Sequence, residues 1–209
     1  VNVTLLFSIS RYQAVTEAYL KGLANNPAPR NVASVASFFV SRVDTMVDEL
    51  LAEMSEPSAR TLMGKVAVAN TRLAYQHYKQ VKDSDPFRVQ HVRGARMQRP
   101  LWASTSTKNP AYSDILYVEQ LIGPDVISTV TPATLDAFQV HGEIWSSLEQ
   151  DINMARRELV RLAALGVNLD EITGKLEAEG VRKFIQSYDQ LLRALHDKRY
   201  KVGQNYAAG

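Results

Sequence analysis

The chain opens on Val1-Asn2-Val3-Thr4-Leu5-Leu6-Phe7-Ser8, a nearly continuous run of branched, aliphatic and aromatic residues. A strand covered on both faces reads this way, whereas a strand with one wet face alternates, so a buried strand of a parallel sheet is expected here. The run has neither the basic start nor the longer apolar core of a secretory signal. A chain that begins inside such a strand is expected to be the downstream part of something longer. Behind Ser8 the period changes. Tyr12, Val15, Tyr19 and Leu20 fall near helical spacing as far as about Leu23, and Asn25-Asn26-Pro27-Ala28-Pro29 ends that helix. Proline cannot continue a helix and disfavours helical geometry in the residue before it.

The same change of period recurs along the chain. Val32 to Val40 is a second strand-like run. Val43, Met46, Val47, Leu50, Leu51 and Met54 then recur at i, i+3, i+4, i+7, i+8 and i+11, the signature of an amphipathic helix, and Pro57-Ser58 breaks it. Leu62, Val66, Ala69, Leu73 and Tyr78 suggest another helix, and Asp83 to Pro86 reads as a turn cluster. Pro100-Leu101-Trp102-Ala103-Ser104-Thr105 is a short strand with a polar carboxyl end, and Lys108-Asn109-Pro110 is the loop after it. A short helical segment, Ile115 to Ile122, ends at Gly123-Pro124. Val126-Ile127-Ser128-Thr129-Val130 is a fourth strand, with Thr131-Pro132 as a helix entry. Strands expected near 1–8, 32–40, 100–105 and 126–131, each separated from the next by helix, predict right-handed crossovers and a parallel sheet.

The last third is helical by pattern. Leu159 and Leu162 lead to Gly166 as a stop, Asp170 caps a short helix carrying Ile172 and Leu176, and Gly180 is expected to end it. Val181, Phe184, Ile185, Tyr188, Leu191, Leu192 and Leu195 then form an apolar stripe, followed by a tail, Val202 to Gly209, expected to fray.

Composition narrows the class. The 209 residues are 45% hydrophobic and 22% charged, which excludes wholesale disorder and is enough for a real core. A net charge of +2 does not suggest a dedicated nucleic-acid binder. Cysteine is absent, which removes disulfides, thiolate metal sites and cysteine nucleophiles and fits a cytoplasmic setting. No run approaches the roughly 18 apolar residues of a membrane span.

In a parallel α/β protein the carboxyl ends of the strands face the ligand. There the sequence offers Thr4 and Ser8, Ser37 and Arg42, the run Ser104-Thr105-Ser106-Thr107-Lys108, and Ser128, Thr129 and Thr131. Hydroxyls with two cations and no carboxylate cluster suit a phosphate, since arginine offers a bidentate fork. A single strand hydroxyl is more often a satisfied core group, and a single helix arginine a surface one. Their coincidence at successive strand ends is what raises the phosphate reading. Phe87 to Ser113 carries Arg88, Arg93, Arg96, Arg99 and Lys108 without an acidic residue. Packing accounts for Phe87 and Trp102 there better than nucleic-acid stacking does, and the charge can steer a phosphorylated metabolite. The four histidines, His77, His91, His141 and His196, lack ligand spacing, and no dinucleotide, P-loop or nucleophile-elbow motif is present.

Several long segments resemble one family. Asn2-Val3-Thr4-Leu5-Leu6-Phe7-Ser8, Val35-Ala36-Ser37-Phe38-Phe39-Val40-Ser41-Arg42-Val43-Asp44, Gly64 to Asn70, Gln98 to Pro110, and the ending from Gly166-Val167-Asn168-Leu169 to the Leu191-Leu192 helix are similar to the C-terminal half of a transaldolase. The subfamily is the plant and bacterial one also found fused to a phosphoglucose isomerase. The resemblance implies a parallel (β/α) barrel of TIM type, with this chain supplying strands five to eight in residues 1–140 and C-terminal helices packed on the barrel in 141–209.

It also implies a reaction: transfer of a dihydroxyacetone unit between phosphosugars through a Schiff base, in the pentose phosphate pathway, without a cofactor or metal. The implied substrates are sedoheptulose 7-phosphate, fructose 6-phosphate, glyceraldehyde 3-phosphate and erythrose 4-phosphate. The Schiff-base lysine belongs to an upstream strand and is outside this sequence, so the chain alone is expected to be inactive. By resemblance Asn2 and Thr4 are catalytic, the threonine positioning a water. Ser37 and Phe39 touch substrate, and Arg42 and Ser104 hold its phosphate. Ser106 stands where many members carry a second arginine, with Lys108 two residues on as the expected second cation. The implied partners are the N-terminal half of the barrel or a second copy, with no nucleic acid and no membrane. The alternative is a non-catalytic phosphosugar-binding or structural half barrel that self-associates.

Overall fold

A computed structural model describes the backbone of residues 1–207 and the side chains of residues 1–199. The tail expected to fray, Val202 to Gly209, lies outside the described side chains. Four strands, β1 (Asn2–Leu6), β2 (Val35–Phe39), β3 (Arg99–Ala103) and β4 (Ile127–Ser128), form one sheet in that order, every neighbour parallel. The crossovers are helical: α1 (Ile9–Asn25) between β1 and β2; α2 (Ser41–Ala52), α3 (Pro57–Arg60), α4 (Val66–Lys82) and α5 (Asp85–Val92) between β2 and β3; and α6 (Leu116–Glu119) between β3 and β4. Three more helices, α7 (Pro132–His141), α8 (Ile152–Ala164) and α9 (Leu169–Ala207), follow the sheet. The alternation of periods in the sequence is therefore the alternation of layers in the fold.

The two faces of the sheet differ. Ala36, Phe38, Val40 and Trp102 point into the helical layer and are buried. Trp102 meets Phe38 edge-on at 6.3 Å, and Phe38 meets Tyr12 edge-on at 6.1 Å, so an aromatic ladder runs from β3 through β2 to α1. Edge-to-face pairs set opposite ends of the ring quadrupoles against each other and add to the area that they bury. Below this ladder α4 is the central strut, buried at Val66, Ala67, Ala69, Ala74, Tyr75 and Tyr78, with α8 packed along it. The opposite face carries Val35, Ser37, Phe39 and Leu101, with Asn2 and Thr4 beside them; Asn2 and Thr4 are exposed, Val35, Phe39 and Leu101 half-buried, and Ser37 buried.

Three expectations are corrected. β1 is not buried along both faces, since Asn2 and Thr4 are exposed. The pairing register shifts between Val3 and Leu6, and Leu5 takes a left-handed φ of 63°. An extra residue in a strand flips those that follow, which is how Leu5, Leu6 and Phe7 are buried in succession. The Asp83–Pro86 cluster is not a plain turn but the start of α5: Ser84 Oγ accepts from Phe87 N, and Pro86 occupies the first turn, where no N–H is needed. Gly180 does not end a helix either; α9 runs on through it. A Cβ at Gly180 would come within 2.8 Å of Leu5 Cδ2, so its missing side chain lets α9 press against β1. From residue 181 to 199 every described residue of α9 is exposed, the apolar stripe with it.

A polar feature within the core ties three segments together. Asp44 and Asp48 lie one turn apart on α2. Asp44 accepts from Ala67 N at 2.7 Å and from the Tyr117 hydroxyl at 3.0 Å; Asp48 accepts from Gly64 N at 3.1 Å and from the Tyr112 hydroxyl at 2.7 Å. Each carboxylate thus takes one backbone N–H from the entry to α4 and one phenol from the stretch after β3. Burial pushes the Asp44 carboxyl up to about 7, with the nearby Asp48 charge adding to it and the Ala67 N–H opposing it. Burial also raises Asp48.

A raised acid has a definite sign in stability. Below the unfolded value both states hold the proton; as pH rises toward the folded value the unfolded chain releases it first, and folding stability falls. Asp44→Asn cannot ionise. We predict that the stability of wild type relative to Asp44→Asn declines by roughly 2–4 kcal/mol between about pH 4 and about pH 7, read from denaturant melts across that range. A difference that stays flat would show that Asp44 ionises as an exposed aspartate does.

Candidate functional site

The carboxyl ends of the strands arrive at one rim of the sheet. There β2 and β3 continue their pairing past the strands proper: Val40 N donates to Ala103 O, and Ser41 N to Ser104 O, both at 2.9 Å. Ser104 has a left-handed φ of 56°, an uncommon geometry for a residue with a side chain. Its hydroxyl lies 2.9 Å from that of Ser41. Arg42 follows Ser41 in the first turn of α2, half-buried and without an ion-pair partner among the described residues. A pair of hydroxyls, with an arginine next along the chain, thus stands at the edge where a ligand meets a parallel sheet.

A second hydroxyl group lies on the β4 side of the rim. Ser106 Oγ donates to Thr131 Oγ1 at 3.3 Å, and Thr134 Oγ1 donates to Ser106 Oγ at 3.3 Å. Thr131 is the N-cap of α7, accepting from Thr134 N, so Ser106 is tied to a helix start. Ser8 has the same kind of role at α1, where it accepts from Arg11 N at 3.1 Å. Lys108 is exposed and lines a cavity of about 320 Å³ with Asp44, Thr45, Asp48, Glu49 and Tyr112, on the flank of α2.

The other residues singled out in the sequence lie on the sheet face opposite the helical layer, where Asn2 and Thr4 are exposed and Ser37 is buried. Ser37 Oγ donates to Asn2 Oδ1 at 2.8 Å, which puts those two side chains on one face. Thr4, two residues along β1, is exposed beside them. Phe39 is half-buried, its ring 5.1 Å from that of Phe7. The structure brings Asn2 and Ser37 together, with Thr4 and Phe39 on the same two strands, and Arg42 follows directly on Ser41 of the Ser41–Ser104 pair; Ser106 bonds instead to Thr131 and Thr134, and Lys108 lies on the flank of α2 among Asp44, Asp48 and Glu49. Phe39 stands two residues beyond Ser37 and three before Arg42. Ser41 and Thr134 went unnoticed as partners of the site hydroxyls. Ser41 could have been found from its place next to Arg42, whereas nothing local marks Thr134.

The lysines divide simply. Lys79 pairs with Glu149 and Lys82 with Asp125. Lys21, Lys65, Lys108, Lys175, Lys183 and Lys198 are exposed, so none of the lysines with a described side chain is buried. Among the described residues no group of three or more histidine, aspartate or glutamate side chains could hold a metal ion. No described helix is long and apolar enough to cross a membrane.

Comparison with known proteins gives this arrangement a context. The family model for transaldolase/fructose-6-phosphate aldolase matches residues 1–195. The chain is 45% identical over 203 residues to a transaldolase of Parafrankia sp. (strain EAN1pec), an alignment covering 95% of this chain and 55% of that protein. It is 46% identical over 199 residues to a transaldolase of Mycolicibacterium smegmatis (93% and 54% covered) and 39% identical over 216 residues to one of Trichodesmium erythraeum (97% and 57%). The chain spans about half the length of the curated relatives it matches. Matched along nearly all of its length, the chain belongs to the transaldolase/fructose-6-phosphate aldolase family.

Proposed function

We propose that this chain is the phosphate-binding half of a transaldolase, the C-terminal half of a (β/α) barrel of TIM type in the plant and bacterial subfamily. In this reading it supplies strands five to eight in residues 1–140 and carries its C-terminal helices in 141–209. The observation that carries the reading is Arg42, half-buried and without an ion-pair partner among the described residues, next along the chain to the Ser41–Ser104 hydroxyl pair at the carboxyl rim of a parallel sheet. Its relation to the Asn2–Ser37 face supports a substrate laid lengthwise. The phosphate sits at the rim on Arg42 and Ser104, with Lys108 as the second cation and Ser106 between them. The sugar runs inward past Phe39 and Ser37 toward Asn2 and Thr4, the threonine holding a water. A ketose phosphate such as fructose 6-phosphate or sedoheptulose 7-phosphate fits that order, as do the acceptors glyceraldehyde 3-phosphate and erythrose 4-phosphate.

Schiff-base chemistry needs a neutral amine, which means a lysine held away from water. Every lysine with a described side chain is exposed or partly so. The nucleophile in this reading therefore comes from an upstream half, and the isolated chain binds phosphosugar without turning it over. A second reading, a non-catalytic half barrel that self-associates, is favoured by the exposed Asn2 and Thr4 at the sheet edge and by the α9 stripe, where Phe184 is 60% exposed and Tyr188 61%. Exposed apolar area on this scale favours association.

Three outcomes are expected. In a barrel reconstituted with an upstream half, Arg42→Ala should cost about 2–4 kcal/mol in kcat/KM, the scale of removing one partner of a desolvated charge pair; unchanged kinetics would remove Arg42 from the site. Light scattering should find the isolated chain associated, and a monodisperse monomer that melts cooperatively would contradict that. Treated with fructose 6-phosphate and borohydride, the isolated chain should show no sugar adduct by intact mass, while a mixture with the upstream half should carry the adduct on that half. An adduct on this chain would mean that its own lysine is the nucleophile. A mixture that assembles but neither traps nor turns over substrate would leave the binding-fragment reading standing.

A further inference from the structure

The stretch between β3 and α6 carries three of the four residues assigned to the phosphate in the proposed function, Ser104, Ser106 and Lys108, and is held to α2 at two points. Near its start, Ser104 meets Ser41 through backbone and side chain. Near its end, the Tyr112 hydroxyl donates to Asp48 Oδ2 at 2.7 Å. Internal bonds wind the segment between these points: Thr107 Oγ1 donates to Ser113 O at 2.8 Å, and Tyr112 N to Asn109 O at 3.1 Å. Lys108 sits in the exposed part, between the two anchors.

The second anchor is built with some care. Asp48 is one turn beyond Asp44 on the helix that begins at Ser41 and Arg42, so whatever fixes Asp48 is referred to the same rigid element as the phosphate arginine. Its other oxygen accepts from Gly64 N at 3.1 Å. Gly64 has a φ of 71°, and a Cβ there would lie 2.9–3.2 Å from the Tyr112 ring. The glycine therefore serves two purposes: it turns the chain so that its N–H reaches Asp48, and it leaves the slot in which the tyrosine ring lies.

We propose that Tyr112 and Asp48 form a latch that fixes the 104–115 loop against α2 and thereby sets the spacing of Ser104 and Lys108 from Arg42. They are positioning residues, acting on the phosphate through the loop. The proposal rests on the phosphate reading of the rim. Anion binding by separated cations depends on holding them at the spacing of the anion, and a long lysine on an untethered loop loses that through conformational entropy.

The test uses the whole chain, with inorganic phosphate as the probe. Backbone amide shifts are followed for Ser41, Arg42 and the 104–109 segment, together with hydrogen exchange of the loop. Tyr112→Phe keeps the ring in the Gly64 slot and removes only the hydroxyl. It should weaken phosphate binding about tenfold, the scale of one hydrogen bond to a charged group. It should also speed exchange in the loop while leaving the α4 amides as they are. Asp48→Ala should behave the same way. Asp48→Asn should restore wild-type affinity, because its amide oxygen still accepts from Gly64 N and its NH2 can donate to the phenol oxygen. A purely structural role would instead lower stability and speed exchange throughout, with Asp48→Asn giving no selective rescue. Phosphate binding lost in Arg42→Ala but untouched in Tyr112→Phe overturns the latch and leaves the site standing. No phosphate binding by the wild-type chain overturns both.

Discussion

Parallel strands must all be entered from the same end, so the chain has to cross back through the helical layer before each new strand. That constraint organises the rest of the molecule. It requires the helical crossovers after β1, β2 and β3, and it delivers the residues after each strand to one rim. Ser41 is separated from Ser104 by more than sixty positions, yet the two meet because β2 and β3 run side by side and finish together. The aromatic ladder of Tyr12, Phe38 and Trp102 serves the same end from beneath, since it fixes α1, β2 and β3 relative to one another.

What was legible in the sequence follows from which interactions are local. The strands could be read because their apolar runs are short and bounded by proline, glycine or polar residues, and the rim followed once the strands were taken as parallel. The left-handed turn at Leu5 could not be read, because a leucine gives no local sign of positive φ. Nor could the passage of α9 through Gly180, where glycine ordinarily signals a stop; here contact with Leu5 outweighs its poor helix propensity. Asp44 and Asp48 stand among polar positions of α2 and carry no local sign of burial. Their partners, Tyr117 and Tyr112, lie 73 and 64 positions further on, so only the tertiary fold marks them as buried. Of the site, the hydroxyls and cations were visible as a set, while their division between the sheet face and its rim needed the register.

The molecule is unevenly finished. Its helical side is a packed interior, with Trp102, Phe38, Val40, Val43 and Val47 fully buried. Its other side shows water the polar and apolar residues of Asn2, Thr4, Val35 and Phe39, and the second half of α9 shows its apolar stripe. α9 changes character at one point, Gly180, where it leaves β1. Before that residue Ile172, Thr173 and Leu176 are buried, and beyond it no described residue is.

That unevenness bears on how strongly the rim can hold an anion. Two unit charges 4 Å apart interact by about 1 kcal/mol in bulk water and about 4 kcal/mol at an effective dielectric of 20. In the proposed reading Arg42, half-buried in this chain, meets the phosphate at a rim beyond the exposed Asn2 and Thr4, so the phosphate keeps much of its hydration. Covering the exposed Asn2 and Thr4 by an upstream half, as in the proposed reading, would lower the water content of the site and move such a pair toward the second figure. It would also place the polar groups of the sheet face in a setting where their hydrogen bonds count for more. In the proposed reading, closure of the sheet face and tight phosphate binding are therefore one event in energetic terms. The isolated chain should then bind phosphate weakly and gain affinity in proportion to the solvent that the proposed upstream half removes.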